Sequence, residues 1–377
     1  MLKDKRRREA ENKDPRPIAI GSIKNRVVQR AILQILQPRR LKNLQDINTK
    51  HEPIKDPRLR KLNQINCSKY GVGGLMSPYG GVKPAIELVM KAMAGGARYY
   101  YQSDIKAFFT KIPTNYIVAT VLHETEDKKL TDLFASGLEV NLANKSELLN
   151  YARLFPSGGI GVAQGSSLSA FAGNLLLYDF DHELNSSNVT AVRYIDDLLI
   201  VSNSEDALQA AVAFSKTKLN SYGFSLYKPV PNSDKAAQGV CTNAFNFLGC
   251  TLQPNQCSPS QRSIKKLNAD VDQVISGSKK AILRLLKKGT PIDPKLSRSA
   301  VLHNLGKKIY GWQKSFSFCS NSQEFRKLDT VISKKVSNYE KWIQSRTSRY
   351  SNAQLMQILG IPNTENMYLK DQSKNAN

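Results

Sequence analysis

One region of the chain combines the short apolar period of β-strands with acidic residues. The segment VTAVRYIDDLLIVS at 189–202 consists of two apolar runs, and this pattern predicts a β-hairpin with Asp196 and Asp197 at its turn. The segment ARYYYQSDIKAFF at 97–109 predicts a further strand, which ends at Asp104. Both predicted elements therefore place carboxylates at the ends of apolar strands.

Other stretches have the longer period of amphipathic helices, and together with the strands they predict a mixed α/β chain. The apolar side of the first helix is expected to comprise Val27, Val28, Ala31, Ile32, Ile35 and Leu36. Further helices are predicted from about Pro84, over 112–155 with polar connections, from Leu168 to about Tyr178, and from about Glu205 to Tyr222. Two more segments are predicted to be strands, FSLYKPVP and AFNFLGCTL.

The composition is strongly basic, which changes the expected class of partner. The 377 residues include 55 Lys and Arg against 31 Asp and Glu, a formal net charge of +24. Nucleic acid is the expected partner, because basic residues that contact phosphates release condensed counterions. No apolar run reaches the about 18 residues that a membrane-spanning helix needs, and the charged start has no signal-peptide pattern. A cytoplasmic protein without a membrane partner is therefore expected.

The cysteines and histidines show no metal-site pattern in the sequence. The five cysteines form no C-x-x-C pair, and the four histidines have no zinc-site spacing. We therefore expect reduced, mostly structural thiols at Cys67, Cys241, Cys250, Cys257 and Cys319.

Asp104, Asp196 and Asp197 are candidate metal ligands. Neighbouring carboxylates repel each other, and burying them without a partner is costly. An exposed turn is the ordinary explanation of an Asp pair, but Asp104 lies between an apolar strand and apolar Ile105. If the strand of Asp104 lies beside the hairpin, three carboxylates meet. Such a cluster suits two Mg²⁺ ions about 3.5–4 Å apart, as used in phosphodiester synthesis.

Five motifs, which occur along the chain in the order typical of the family, resemble those of reverse transcriptases. YIDD at 194–197 is similar to their Tyr-x-Asp-Asp box, DIKAFF at 104–109 to their first catalytic box, and QGSSLS at 164–169 to their Gln-Gly-x-x-x-Ser box. FLGC at 247–250 resembles their primer-grip hairpin. RPIAIGSIKNRVVQRAI resembles the fingers signature of bacterial reverse transcriptases of the group II intron, retron and abortive-infection lineage. Over roughly residues 15–260, the chain is most similar to the stand-alone, defence-associated members.

The resemblance implies a catalytic role for the carboxylates. Asp104, Asp196 and Asp197 would be catalytic, and with the backbone carbonyl of Ile105 they would bind two Mg²⁺ ions, for which Mn²⁺ is a substitute. Tyr194 would lie under the primer end. The other expected contacts to primer or template are Arg26, Phe247, Leu248 and Gly249.

The resemblance also implies a nucleotide pocket. Arg16 would hold the triphosphate, since a planar guanidinium offers several donors. Phe108 would lie beneath the sugar and reject a 2′-hydroxyl, with Phe109 in the core. The remaining expected pocket residues are Gln164, Gly165 and, near the leaving phosphate, Lys235 or Lys228. The ordinary alternatives are a basic arm for Arg16, core packing for both phenylalanines, and a helix cap for the QGSSLS motif.

The fold implied by the resemblance is α/β, of the α+β type. It is a right-hand polymerase with fingers, a palm built on an antiparallel ferredoxin-like sheet, and an α-helical thumb. The expected parts are a basic N-terminal arm at 1–15, fingers at 16–99, a palm at 100–257 with a fingers insertion at 112–155, and a basic helical thumb and C-terminal domain at 258–377.

The expected function is RNA-directed DNA polymerase, which adds dNTPs to a primer 3′-hydroxyl and copies a non-coding RNA in bacterial antiphage defence. Its expected partners are the RNA template, the DNA primer and product, and dNTPs. Three alternatives stay open: template-independent or protein-primed synthesis of the abortive-infection type, a retron or group II intron reverse transcriptase or maturase, and a non-catalytic RNA-binding scaffold. The thumb region has no VTG tripeptide, which counts against a usual retron enzyme, and no endonuclease module is seen. The three aspartates count against a scaffold.

Overall fold

The computed structural model describes residues 1–41, 51–231, 233–346, 350–365, 367–368 and 372. The chain divides into two units, residues 1–243 and residues 244–377, and each has its own apolar core. Both helices and antiparallel strands are present, so the α/β class predicted from the residue pattern is confirmed.

The first unit is built around an antiparallel sheet. Its strands are β1 Leu2–Lys3, β2 Arg16–Pro17, β3 Arg39–Leu41, β4 His51–Pro53, β5 Tyr99–Asp104, β6 Thr190–Tyr194, β7 Asp197–Ser202 and β8 Ala236–Val240. Four of them form one sheet in the order β6, β7, β5, β8, while β1 pairs with β2 and β3 pairs with β4. The apolar strand β7 lies inside this sheet, as its nearly continuous burial requires.

Helices cover the sheet and one another. They are α1 Lys5–Ala10, α2 Ile23–Leu36, α3 Arg60–Asn66, α4 Val82–Ala94, α5 Phe108–Lys111, α6 Thr114–Thr125, α7 Lys128–Leu138, α8 Lys145–Leu148, α9 Ser167–Leu184 and α10 Glu205–Ser221, with a 3₁₀ helix at Leu149–Leu154. Helices α4, α9 and α10 contact the sheet, and α2, α3, α6 and α7 pack against α9. Helix α9 is longer than predicted, because Phe180 and Leu184 beyond Tyr178 are also buried.

The FSLYKPVP segment does not form the predicted strand. Pro229 and Pro231 lack the N–H group that a strand ladder needs. The N–H of Tyr227 donates to the side-chain hydroxyl of Ser103 on β5 (2.9 Å) rather than to a backbone carbonyl. The edge of the sheet beside β5 is instead occupied by β8, which the residue pattern did not indicate.

The apolar side predicted for α2 is only partly buried. Ile32 and Leu36 are buried as expected, together with Leu33. Val27 and Ile35 are 63% and 51% exposed, and Val28 is also exposed. Helix α2 carries apolar residues around more than half of its circumference, and only the part that meets α7 and α9 is covered.

In the residues that the structure describes, the second unit combines a small sheet with four α-helices. Its elements are β9 Phe245–Phe247, β10 Cys250–Gln253, β11 Gln256–Pro259, α11 Gln261–Lys288, α12 Arg298–Ser315, α13 Ser322–Gln344 and α14 Asn352–Leu359, with a 3₁₀ helix at Pro294–Leu296. The strands pair in the order β11, β10, β9, and α12, α13 and α14 pack against α11. Within the described ranges of both units, no helix has the length and apolar character needed to cross a membrane.

Candidate active site

Asp104, Asp196 and Asp197 lie at one end of the central sheet. Asp104 ends β5, Asp197 begins β7, and the two residues are paired in the antiparallel register. The N–H of Ile105 donates to the carbonyl of Asp196 (2.7 Å), which ties the hairpin turn to the end of β5. The strand pattern therefore predicted the hairpin and its neighbour correctly. The catalytic role of the three residues stays a prediction.

The turn that carries Asp196 has an unusual backbone conformation. Ile195 has a φ of +62°, in the left-handed region that β-branched residues rarely adopt. Conformations of this kind cost on the order of 1–3 kcal/mol and persist only where surrounding contacts enforce them. Here the guanidinium of Arg193 donates to the carbonyl of Ile195 (2.9 Å).

Arg193 belongs to a buried ion pair beneath the turn. Its side chain is fully buried and donates twice to the carboxylate of Asp181 on α9, at 2.9 and 2.6 Å, and once to the amide oxygen of Asn174 (3.2 Å). Burial raises the pKa of Asp181, and the charge of Arg193 opposes that rise. The pair thus holds the guanidinium in the position from which it supports Ile195. Sequence reasoning missed this pair, although an arginine inside the apolar run TAVRY is a signal for it.

A glycine-rich segment packs against the same turn. A Cβ atom at Gly73 would lie 2.4 Å from the backbone nitrogen of Ile195, so only glycine allows this approach. The amide of Asn174 donates to the carbonyl of Gly73 (2.6 Å). The segment is therefore fixed against both the turn and α9.

A cavity of about 640 Å³ opens beside the three aspartates. Four basic residues line it, namely Arg8, Arg16, Arg153 and Lys235. Arg8 and Arg153 were not predicted from the sequence, because they come from α1 and from the 3₁₀ helix at 149–154 rather than from a motif. A pocket with carboxylates on one side and several cations around it suits a phosphate-bearing substrate accompanied by metal ions.

Lys235 forms an ion pair with Asp104. Its side chain is 43% exposed, and its ammonium also lies 5.9 Å from the centre of the Tyr227 ring. Lys228, the alternative considered from the sequence, is absent from the residues that line the cavity. The geometry therefore favours Lys235.

Arg16 is held at the cavity by its neighbours in the chain. Strand β2 pairs with β1, and the N–H of Ala19 donates to the carbonyl of Gln164 (2.9 Å). Gly165 has a φ of +105°, and a Cβ there would lie 2.7 Å from the carbonyl oxygen of Ala19. Glycine is thus required at 165 because the backbone of Ala19, in the same chain, approaches it closely. Gln164 itself lines the cavity.

The two phenylalanines both line the cavity, and they differ in burial. Phe108 is 2% exposed and packs in the core, with its ring centre 5.4 Å from that of Phe224. Phe109 is only partly buried and borders the cavity. The reason is local, because Ala107 has a left-handed φ of +52° and α5 begins directly after it. Strand alternation therefore stops before the pair. The contact of Phe108 with the sugar stays a prediction, and Phe109, the more exposed of the two at the cavity, is a second candidate for it.

The predicted primer and template residues lie in both units. Tyr194 ends β6, where it pairs with Asp197, and Arg26 is exposed on α2. Leu248 and Gly249 form the turn between β9 and β10 with φ values of +48° and +79°. Phe247 is buried in the second unit at 5% exposure, and its contact with primer or template stays a prediction.

Burial and mutual repulsion shift the titration of the aspartates. Burial, with the neighbouring charge of Asp197, raises the pKa of Asp196 to about 6, and the charges of Arg16 and Arg193 oppose the rise. Burial also raises the pKa of Asp197. Ionising these carboxylates in their buried positions therefore has a free-energy cost that a bound cation would relieve.

The raised pKa of Asp196 predicts how stability depends on pH without metal ions. A raised carboxyl pKa favours folding below pH 4, and this contribution is lost as the pH rises to about 6. Asp196→Asn removes the charge, so above pH 6 it should be more stable than wild type by up to about 3 kcal/mol, with little difference at pH 4. Urea unfolding in a chelator measures this, with the exposed Asp132→Asn as control. Equal stability of wild type and Asp196→Asn at pH 7.5 would contradict the prediction.

The donor set fits hard divalent cations. It offers carboxylate oxygens from three aspartates at one cavity, next to the backbone of Ile105. Among the residues that the structure describes, the three carboxylates do not all approach within 4.8 Å of one another, as like charges repel and Asp104 is paired with Lys235. A bound ion would compete with the ammonium of Lys235 for the carboxylate of Asp104.

Comparisons with known proteins give one family. Over residues 3–252 the chain matches the family described as "Reverse transcriptase (RNA-dependent DNA polymerase)". No curated protein matches it.

Similar solved structures are telomerases of two Candida species. They include telomerase from Candida albicans in complex with a TWJ fragment of telomeric RNA (15% identity, 85% of this chain, 56% of that chain, TM-score 0.40). Apo telomerase from Candida tropicalis is similar at 12% identity (75% of this chain, 52% of that chain, TM-score 0.42). A form of it truncated from the C-terminal domain is similar at 14% identity (46% and 38%, TM-score 0.33). The chain spans between 38% and 56% of the length of these telomerase chains.

Proposed function

The chain belongs to the reverse transcriptase family of RNA-dependent DNA polymerases, and on that premise we propose that it extends DNA at the cavity beside Asp104, Asp196 and Asp197. The fold is that of a right-hand polymerase, and the enzyme is a nucleotidyltransferase that makes DNA on RNA. The observation that carries the proposed site is that all three aspartates line the same cavity as Arg16 and Lys235.

We propose Mg²⁺ as the resident ion, with Mn²⁺ as a substitute. Reverse transcriptases use divalent metal ions, and an all-oxygen donor set suits these two. Asp104, Asp196 and Asp197 would hold two ions, with the carbonyl of Ile105 as a further ligand. When bound, such ions supply activation of the primer 3′-hydroxyl and stabilisation of the leaving pyrophosphate.

The basic residues of the cavity are proposed to bind the triphosphate. Arg16 can grip a phosphate through two donors at once, since its guanidinium is planar. Arg8 and Arg153 line the same cavity and add positive charge. Once separated from Asp104, the ammonium of Lys235 is a point charge for the leaving phosphates. The amide of Gln164 faces the same space and is proposed to orient the nucleotide.

Phe109 is proposed to lie under the sugar and to exclude a 2′-hydroxyl. Both phenylalanines line the cavity, but Phe109 is the more exposed, since Phe108 is only 2% exposed. Phe109→Val should therefore raise the use of ribonucleotides relative to deoxyribonucleotides by on the order of tenfold to a hundredfold, the usual range for a lost steric contact. Single-nucleotide incorporation with dNTP and NTP on a primed RNA template measures this ratio.

The neighbouring phenylalanine is the matched control. Phe108→Leu removes a similar ring from the core, so it should lower the free energy of unfolding by about 1 kcal/mol while leaving sugar selection unchanged. A changed ratio in Phe108→Leu with an unchanged ratio in Phe109→Val would return the role to Phe108.

Contacts to the primer and template are proposed for Tyr194, Arg26, Leu248 and Gly249. Tyr194 is next to the aspartate turn, and Arg26 is an exposed cation on α2. We also propose that residues 16–99 are the fingers, 100–257 the palm, and 258–377 a thumb. The helices α11 to α13 expose many lysines and arginines, which supports a grip on the phosphates of a duplex.

The proposed biological role is the copying of a non-coding RNA in bacterial antiphage defence. The support is the similarity of the motifs to stand-alone, defence-associated reverse transcriptases, together with the basic charge of +24. The deciding experiment is sequencing of the RNA and DNA that co-purify with the protein from cells, combined with a phage infection assay.

The outcomes of that experiment separate the alternatives. DNA complementary to one RNA supports templated copying, and DNA of simple sequence without a matching RNA indicates untemplated synthesis. Enrichment of an intron RNA without DNA indicates a maturase. Protection from phage that survives Asp104→Asn would count against any role for DNA synthesis in defence.

A further inference from the structure

Three cysteines that are scattered in the sequence meet in the second unit. Their ligand atoms all lie within 4.8 Å of one another, although Cys250 and Cys319 are far apart in the chain. Cys250 and Cys257 are buried, and Cys319 is partly buried. Among the described residues, no other group of histidines, cysteines or carboxylates meets this distance. We call Cys250, Cys257 and Cys319 the thiol cluster.

The backbone fixes the three side chains towards one another. Strands β10 and β11 are antiparallel with Cys250 opposite Pro259 and Cys257 opposite Leu252, so both cysteines lie on the same face of the sheet. Cys319 comes from the loop between α12 and α13. The carbonyl of Cys257 accepts from the N–H groups of Ser320 (3.0 Å) and Asn321 (3.1 Å), which holds this loop against β11.

A further hydrogen bond completes the attachment. The N–H of Cys257 donates to the hydroxyl of Ser320 (3.0 Å). The loop is therefore bound to β11 through both backbone groups of Cys257, and the position of the Cys319 thiol does not depend on its own side-chain contacts. Such preorganisation is what a metal site built from distant segments requires.

The distances suit a shared metal ion better than a disulfide. The sulfurs of Cys257 and Cys319 are 3.6 Å apart, whereas a disulfide needs about 2.05 Å. Two thiolates bound to one tetrahedral Zn²⁺, each at about 2.3 Å, lie roughly 3.8 Å apart. We propose that the thiol cluster binds a thiophilic metal ion, Zn²⁺, through three cysteine sulfurs.

The chemistry of the cluster agrees with this geometry. Thiolate sulfur is a soft ligand that prefers Zn²⁺ and related ions to Mg²⁺, so the cluster would not compete for the ion at the aspartates.

Binding would have a structural consequence within the second unit. Cys250 directly follows the turn at Leu248 and Gly249, and Cys257 and Cys319 lie on β11 and the loop before α13. An ion on the thiol cluster would therefore cross-link the hairpin to the helical part of this unit. Metal sites of this kind contribute folding free energy directly.

The test uses the full chain, purified and then freed of metal under reducing conditions. Titration with Zn²⁺ against a coloured chelator should show one tight site, and Co²⁺ should give the intense absorption of thiolate-to-metal charge transfer. In Cys250→Ser, Cys257→Ser and Cys319→Ser the affinity for Zn²⁺ should fall by more than about 100-fold. A loss of up to about 100-fold is typical when a residue that only supports a metal ligand is changed. Cys241→Ser, buried, and Cys67→Ser, partly buried, are the matched controls in the first unit.

Two results would overturn the proposal. The first is absence of a stoichiometric Zn²⁺ site in wild type. The second is a site whose affinity and Co²⁺ absorption are unchanged in Cys319→Ser, the variant at the most accessible position and so the least disruptive to folding. As a second measurement, Zn²⁺ should slow alkylation of the three cluster thiols, located by mass spectrometry, and leave the rate at Cys67 unchanged.

Discussion

The Asp196→Ala, Asp197→Ala double variant is expected to lose DNA synthesis by about a thousandfold or more. Two of the three carboxylates at the cavity are removed, and metal-ion stabilisation of the transition state is worth several kcal/mol, at about 1.4 kcal/mol for each factor of ten. The single change Asp104→Asn should have an effect of similar size, because it removes the ligand contributed by the neighbouring strand. Incorporation of dNTPs on a primed RNA template in Mg²⁺ measures both effects.

The control for this experiment is a carboxylate far from the cavity. Asp132 is exposed on α7, where it pairs with Lys128, and Asp132→Ala should retain full activity. The double variant should remain folded, since removal of Asp196 and Asp197 relieves repulsion between buried charges. Asp132→Ala should remain folded because it changes only an exposed residue. Equal DNA product from wild type and the double variant would show that the aspartates are not the catalytic carboxylates.

Breaking the ion pair beneath the turn is expected to cost more stability than any surface change. Asp181→Leu leaves the fully buried guanidinium of Arg193 without its carboxylate, which typically costs about 3–5 kcal/mol. The loss should appear in urea unfolding and in activity. Asp132→Leu, which breaks the exposed pair with Lys128, should cost no more than about 1 kcal/mol.

A double variant separates stability from positioning. Asp181→Leu combined with Arg193→Met replaces both charges by apolar groups and should recover most of the lost free energy of unfolding. It should not recover kcat, because the carbonyl of Ile195 has then lost its donor and the turn its support. Recovery of both stability and kcat would mean that Arg193 has no positioning role.

The strands whose formation depends on the local pattern of apolar residues were predicted correctly. The hairpin around Asp196 and the strand ending at Asp104 follow from alternating or continuous apolar runs, which depend on neighbouring residues only. The strand that ends at Asp104 pairs with the hairpin, as expected. Few other arrangements of these elements would bring the three carboxylates together.

Features that depend on distant contacts were missed. Strand β8 has little apolar character and is defined by its pairing with β5. A local feature was missed as well: the environments of Phe108 and Phe109 depend on the left-handed conformation of Ala107, which no propensity indicates. The thiol cluster joins residues more than sixty positions apart, so rules based on short cysteine spacing do not detect it.

The ion pair between Lys235 and Asp104 bears on the order of assembly in the cell. A lysine on Asp104 supplies positive charge to the aspartate site from within the chain, so the first unit can fold before any divalent ion arrives. Small domains whose ligands have no such substitute stay unfolded until metal is bound. The first unit would therefore reach its folded form irrespective of the local supply of Mg²⁺, and binding of Mg²⁺ at the aspartates would be a step of activation that follows folding.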